Sequence, residues 1–337
     1  MSIDLDALAI ESLAKNGRTN FISFKGVFLP EDYELIADAV ENFEVRDDDV
    51  WVCSFPKTGT TWVQEMVWGV THDSDLGNSR EHINIRFPFL EFSGTTSFAR
   101  VARREQVTDV PSWVPNSVEF CKNSSSPRHI KSHLPFHLLP RQIRNGERKP
   151  KIVYISRNAK DTCISYYHFL NSFEGHHGTL KQFCQLFLGD KVIYGPFWDH
   201  LLGFWGKEDM KNLLIIKFED MKKDLQSVIR KTASFLGKEL SNDKVLSLAD
   251  HLSFTQMKEN SSLNRNAYLE FIKSTNFFGN TECDGGNKEC EGKFFRDGRS
   301  GQWKTVMSPE MIRRFDERIE TILNTHKDLQ LYLSGID

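Results

Sequence analysis

Phe55-Pro56-Lys57-Thr58-Gly59-Thr60-Thr61-Trp62 begins at the end of the apolar run Val50-Trp51-Val52-Cys53-Ser54-Phe55. It opens a stretch in which Trp62, Met66 and Val70 fall on one helical stripe, with Val63 and Val67 beside it. A short continuous apolar run predicts a strand buried on both faces, and the 3.6-residue spacing predicts a helix packed on it. The turn between them holds a glycine that lets the backbone approach a ligand, a lysine, and the hydroxyls of Thr60 and Thr61. At the carboxyl end of such a strand, a helix N-terminus offers unpaired N–H groups and the positive end of its dipole to an anion. The stretch therefore reads as a phosphate cradle. It is not a Walker A loop, G-x-x-x-x-G-K-[ST], because Lys57 precedes Gly59 and the hydroxyl placement that holds Mg²⁺ is lost. Plain strand-to-helix punctuation would leave the lysine unexplained.

Two further apolar runs repeat the pattern: Lys151-Ile152-Val153-Tyr154-Ile155-Ser156, and Leu213-Leu214-Ile215-Ile216-Lys217-Phe218. After the first, Ile164, Tyr167 and Leu170 share a helical face, and Asn158 and Asp161 are placed like an N-cap and its N3 partner. Alternating strands and helices predict an α/β fold with a central parallel sheet flanked by helices. No shift of composition marks a second domain, so residues 1–337 are read as one. Ser93 to Arg128 and Leu263 to Lys293 interrupt the alternation and read as excursions over the ligand-binding face.

The 337 residues carry 43 Lys and Arg against 46 Asp and Glu, a formal charge of −3, which speaks against a protein built to wrap nucleic acid. No apolar run approaches the roughly 18 to 20 residues that cross a bilayer. Met1 to Ala9 carry Asp4 and Asp6 but no Lys or Arg, unlike a signal peptide, so a cytoplasmic protein is expected. Cys53, Cys121, Cys163, Cys184, Cys283 and Cys290 match no zinc spacing, and no metal is expected. Phe is in surplus, 26 against 7 Trp and 7 Tyr, which suits an apolar pocket or an ordinary core.

Beyond these readings, PKTGTTW resembles the 5′-phosphosulfate loop of the cytosolic sulfotransferases, usually YPKSGTTW, with Phe55 and Thr58 as conservative differences. Arg157-Asn158-Ala159-Lys160-Asp161, with Ser165 and Tyr166-Tyr167-His168-Phe169, is similar to that family's 3′-phosphate segment. Lys131-Ser132-His133-Leu134-Pro135 resembles KTHLP, and Arg296-Asp297-Gly298-Arg299-Ser300-Gly301-Gln302-Trp303-Lys304 resembles RKGxxGxWK. Four motifs in family order span Val50 to Lys304.

The resemblance implies the P-loop-like sulfotransferase fold and the donor 3′-phosphoadenosine 5′-phosphosulfate (PAPS), leaving PAP, without a metal. Its nearest chemical template is in-line phosphoryl transfer. Lys57 would meet the leaving phosphate oxygen and His133 would be the general base, its ordinary pKa near 6.5 suiting proton removal at neutral pH. Lys131 would assist at the sulfuryl group, and Ser165 and Arg157 would hold the 3′-phosphate with Arg296 and Gly298. Thr58, Gly59, Thr60, Thr61, Trp62, Phe218, Ser253, Phe254, Phe295 and Asp297 complete the implied donor site. Phe89 and Phe92, in a segment similar to VPFLEF, would line an apolar acceptor pocket with Phe169, Phe294 and Tyr33. The implied partner is a small hydrophobic alcohol, phenol or steroid, with neither nucleic acid nor membrane. A relative with enlarged loops, retinol dehydratase, eliminates the sulfate it forms, so the product is either a stable ester or its elimination product.

The chain departs from the pattern at four places. Phe218 stands where the family carries Tyr, Leu252 where it carries Thr, and Asp297 where it carries Lys, which implies fewer polar contacts to the donor. Pro309 and Arg313 break the motif of the usual family dimer. A nucleoside or metabolite kinase using ATP and Mg²⁺ is the competing enzyme reading, opposed by the order of Lys57 and Gly59. A ligand-binding protein without catalysis is the third, opposed by the presence of Lys57 and His133.

Overall fold

The apolar runs at Val50, Lys151 and Leu213 become strands in the computed structural model, whose described residues are 4–13, 19–73, 81–263, 298–327 and 329. An antiparallel hairpin, β1 (Phe21–Phe24) and β2 (Val27–Pro30), comes first. Among the described residues, β3 (Val50–Ser54), β4 (His129–Ser132), β5 (Lys151–Ser156) and β6 (Leu213–Lys217) then form one parallel sheet in the order β4-β3-β5-β6. Strand β3 pairs with β4 on one side, Val50 opposite His129, and with β5 on the other, Val50 opposite Lys151. The chain thus reverses direction across the sheet at β3, and the crevice outside its carboxyl end is where such sheets bind ligands.

Side-chain alternation divides the core between the two faces. Val50, Val52, Val153, Ile155, Leu214 and Ile216 face one way, against Val63, Met66, Val67 and Val70 of helix Thr60–Thr71. Trp51, Cys53, Ile152 and Tyr154 face the other, against Ala159, Cys163, Ile164 and Leu170 of helix Ala159–Phe173. Each such apolar side chain, once fully buried, contributes about 1.5–3 kcal/mol, so a polar substitution on either stripe would detach a helix that carries site residues.

Two expectations change. Phe218 opens a helix, Phe218–Lys223, rather than ending β6. Much of the interval from Ser93 to Arg128 is helical: Thr96 caps helix Ser97–Arg104, which buries Phe98, Ala99, Val101 and Ala102, and Asn116 caps helix Ser117–Asn123. The first ten residues of that interval, Ser93 to Ala102, are all buried, most of the rest is exposed, and Thr95 and Thr96 reach the cavity described below. The second interruption lies almost wholly outside the described residues.

Candidate active site

The turn after β3 adopts backbone geometry that few residues tolerate. Lys57 has φ 70° and Gly59 φ 112°. A Cβ on Gly59 would lie 2.8 Å from Cδ2 of Phe218 and 3.0 Å from Cδ1 of Ile155, so both dihedral and space require glycine there. The Gly59 carbonyl accepts the first helical N–H groups, those of Trp62 at 3.0 Å and Val63 at 3.1 Å. Thr58 turns its hydroxyl inward, to the carbonyls of Phe55 at 2.8 Å and Ile155 at 3.1 Å, and so ties the loop to β5. Phe55 anchors the loop from below, its ring 5.0 to 6.0 Å from those of Tyr166, Phe187 and Phe197.

Strand β5 supplies the second wall. The Asn158 side chain caps helix Ala159–Phe173 by accepting from the N–H of Lys160 at 2.9 Å and of Asp161 at 3.2 Å. The N3 carboxylate does not complete a capping box: the Asn158 N–H donates instead to Glu219, at 3.0 Å. Asp161 reaches across the chain, accepting from Gly301 N–H at 2.6 Å and Trp303 N–H at 3.4 Å. This holds Gly298 and Arg299 over the site. Arg157 is braced by the Arg299 carbonyl at 3.0 Å and lies 4.4 Å over the Phe218 ring, so Phe218 serves as a platform for a cation where a tyrosine hydroxyl was the family's expectation. Gly298, at φ 65°, admits no Cβ, which would lie 2.4 Å from Phe254.

At the end of β4 stands His133, 8% exposed. Its Nδ1 lies 2.8 Å from the Ser54 carbonyl and 3.2 Å from the Ser54 hydroxyl. A carbonyl oxygen only accepts, so the proton of the neutral ring sits on Nδ1 and the lone pair on Nε2. The His133 main chain is gripped on both sides. Its N–H donates to buried Glu91 at 2.5 Å, and its carbonyl accepts from Nε2 of His200 at 3.0 Å, whose Nδ1 is in turn 3.1 Å from the Tyr154 hydroxyl. Burial pulls the His200 pKa down to about 3, keeping that ring neutral, and pushes Glu91 up to about 7 against the lowering effect of the His133 N–H, the Ser132 hydroxyl and the Lys131 charge.

These walls enclose a cavity of about 450 Å³. One end is charged, with Lys57, Arg157 and Arg299 beside the N-terminal turn of helix Thr60–Thr71; Lys222, Leu252, Ser253, Phe254 and Met257 extend it. The Trp62 indole N–H donates to the Leu252 carbonyl at 2.9 Å, so it is the backbone of this position that is used, whatever its side chain. The other end is formed by Phe89, Thr95, Phe169, Leu170, Ile193 and Tyr194. Lys131 and His133 stand between, the Lys131 ammonium 4.2 Å over the Phe89 ring.

Of the expected residues, Lys57, Gly59, Thr60, Thr61, Trp62, Phe89, Lys131, His133, Arg157, Ser165, Phe169, Phe218, Ser253, Phe254 and Gly298 line this one cavity. Thr58, Tyr33 and Phe92 are buried but are not part of its lining; Tyr33 packs edge-on against Phe24 and Phe92 against Phe89. Phe294, Phe295, Arg296 and Asp297 lie outside the described residues. Among the described residues there is no cluster of metal-ligating side chains and no helix long and apolar enough to cross a membrane.

Residues 47–330 match the sulfotransferase domain family. The chain belongs to the sulfotransferase family. It is 40% identical over 286 residues to luciferin sulfotransferase of Photinus pyralis, covering 85% of this chain and 74% of that one. It is 32% identical to amine sulfotransferase of Oryctolagus cuniculus, over 89% and 90% of the two chains. Among solved structures, a retinol dehydratase in complex with retinol and PAP superposes with a TM-score of 0.81 at 24% identity, over 96% of this chain and 95% of that one. This likeness shows the sulfotransferase fold.

The lining residues Arg299, Lys222 and Tyr194, and Glu91 behind the lining, are among those the sequence reading left out. Arg299 lies within a motif that was recognised, and its charge was the available signal. Lys222 follows β6 at the strand end and was open to the same reasoning as Arg157. Tyr194 carries no local signal, and Glu91 was legible only as part of an aromatic segment.

Proposed function

We propose that this sulfotransferase moves the sulfuryl group of PAPS onto the hydroxyl of a small hydrophobic alcohol, phenol or steroid, with His133 as general base. The observation that carries the reading is the Nδ1 contact of His133 with the Ser54 carbonyl at 2.8 Å, which leaves an Nε2 lone pair on a ring that lines the cavity between its charged and apolar ends. A residue that accepts a proton there needs that tautomer.

The charged end fits the donor: Gly59 and Gly298 are cradles a Cβ would fill, and Lys57, Arg157 and Arg299 converge with a helix N-terminus. Bound there, PAPS supplies the sulfuryl group and a phosphate leaving group. Lys57 places positive charge where that phosphate oxygen gains negative charge, and Lys131, only 5% exposed, acts in surroundings of low dielectric where its field is strong. Arg157 and Ser165 would hold the 3′-phosphate. His133 Nε2 takes the acceptor proton, and the Ser54 carbonyl stabilises the imidazolium by keeping the Nδ1–H bond.

The apolar end supports a hydrophobic acceptor. Its hydroxyls are already engaged: Tyr194 donates to Thr95 at 2.8 Å, Thr95 to the Glu91 carbonyl at 2.8 Å, and Tyr166 to the Ile193 carbonyl at 3.1 Å. Retinol and androsterone, both apolar, occupy solved structures of this fold. The deciding experiment assays a panel of phenols, steroids and retinoids with PAPS, with mass analysis of products, on wild type and His133→Ala. Turnover is expected to fall by about 10³-fold while PAP still binds, and wild-type-like turnover in the variant would refute the base assignment.

A further inference from the structure

Glu91 is a fully buried ionisable group just behind the cavity lining, against Ser132 and His133, and none of the steps above uses it. It arrives there through an extension of the sheet: the Lys131 N–H donates to the Pro88 carbonyl at 2.9 Å, and the Leu90 N–H donates to the Lys131 carbonyl at 3.0 Å. Residues 88 to 90 thus run alongside β4 and deliver Glu91 beside Ser132 and His133. Its carboxylate is fully buried and both oxygens are committed, one to the His133 N–H at 2.5 Å and the other to the Ser132 hydroxyl at 3.0 Å. Ser132 Oγ in turn accepts the Leu134 N–H at 3.1 Å. A carboxylate is expensive to bury, and a fold that needed only packing here would be better served by a leucine.

We propose that Glu91 is a positioning residue: by binding the His133 main chain and the Ser132 hydroxyl, its carboxylate fixes the strand end that aims the His133 ring at the acceptor. The inference rests on the reading of His133 as the base. Opposite Glu91, the His200 ring holds the His133 carbonyl, so the residue is clamped from two sides while the Ser54 carbonyl sets its ring. A shift of about 1 Å in a reacting group costs on the order of 100-fold in rate, which makes a rigid mount worth a buried charge.

The groups that feel the Glu91 charge are Lys131 beside it, Tyr33, Tyr194, Cys53 and Cys121, and burial pushes the last four upward so that they stay neutral.

The test compares Glu91→Gln and Glu91→Leu with His133→Ala. The amide oxygen of Gln still accepts the His133 N–H, so kcat should stay within about fivefold of wild type. Leu removes the acceptor, and kcat should fall about 100-fold with acceptor KM and PAP affinity nearly unchanged. Wild-type kcat in Glu91→Leu beside an inactive His133→Ala overturns the positioning role alone. So does a folded Glu91→Gln whose kcat falls about 100-fold, a readout that needs no folded Leu variant. Turnover surviving in His133→Ala instead removes the base reading itself.

Discussion

The two ends of the cavity are built by different means. The donor end is made of strand ends: the turn after β3, Arg157 after β5 and Phe218 after β6, with glycines that leave room for a ligand and cations beside a helix N-terminus. The acceptor end is assembled from side chains of distant segments, Phe89, Thr95, Phe169 and Tyr194, whose polar atoms are spent on one another. Groups near it, such as His200, are kept neutral by burial. The charged end is thus defined by backbone and charge, and the other end by the shape of its aromatic wall together with the Glu174 carboxylate that also lines the cavity.

Substitution at Gly59 should break the donor end and spare the other. Gly59→Ala combines a positive φ, a strain of about 1–3 kcal/mol, with a Cβ 2.8 Å from Phe218. Turnover and PAP affinity, the latter by titration calorimetry, should each drop about 100-fold or more. Unchanged PAP affinity would mean that the turn is not the cradle.

Phe89→Ala should do the converse. Loss of an aromatic wall worth about 1.5–3 kcal/mol should raise acceptor KM roughly tenfold while PAP binding stays put. A fall in PAP affinity instead would show that the two ends are not separable.

The smallest effect is on stability against pH. Burial holds His129 and His200 down to about 3 and His176 to about 4, from 6.5, so only the unfolded chain takes up those protons as pH falls below 6.5, and stability drops. Glu91, raised to about 7 from 4.5, works the opposite way between those values. Glu219 and Asp190, also raised by burial, act with Glu91, and the three large histidine shifts outweigh them. Melting temperature should be several degrees lower at pH 5 than at pH 7.5, and a flat profile between them would contradict the neutral state of the three rings.

The same division decided what the sequence disclosed. Strands β3, β5 and β6 were legible because both of their faces are buried and their residues are continuously apolar. Strand β4, His129-Ile130-Lys131-Ser132, was not, since three of its four buried residues are polar: Lys131 and Ser132 serve the site, and His129 packs against Trp68, His72 and Phe87. Lys57, Gly59 and Arg157 were legible because backbone geometry and fixed charge constrain residue type. Glu91 and Tyr194 were hidden because their roles depend on partners 42 and 99 residues away. Tyr33 and Phe92 were misplaced for a related reason: a buried aromatic of the core and one lining a cavity have the same residue signature.

The pairing of β3 with both β4 and β5 also governs how the site comes into being. No two of these strands are neighbours through a tight turn, and the contact between Ser54 and His133 closes a separation of 79 residues. Parallel pairings of this kind are slow to form because chain closure precedes any gain from contact. A chain that has made its phosphate turn but not its sheet holds no His133 in place and no crevice. Nucleotide therefore binds only the finished topology, and at 100 times its Kd it would add about 2.7 kcal/mol to the folded state. Refolding followed by recovered activity should thus coincide with the last global phase and never precede it.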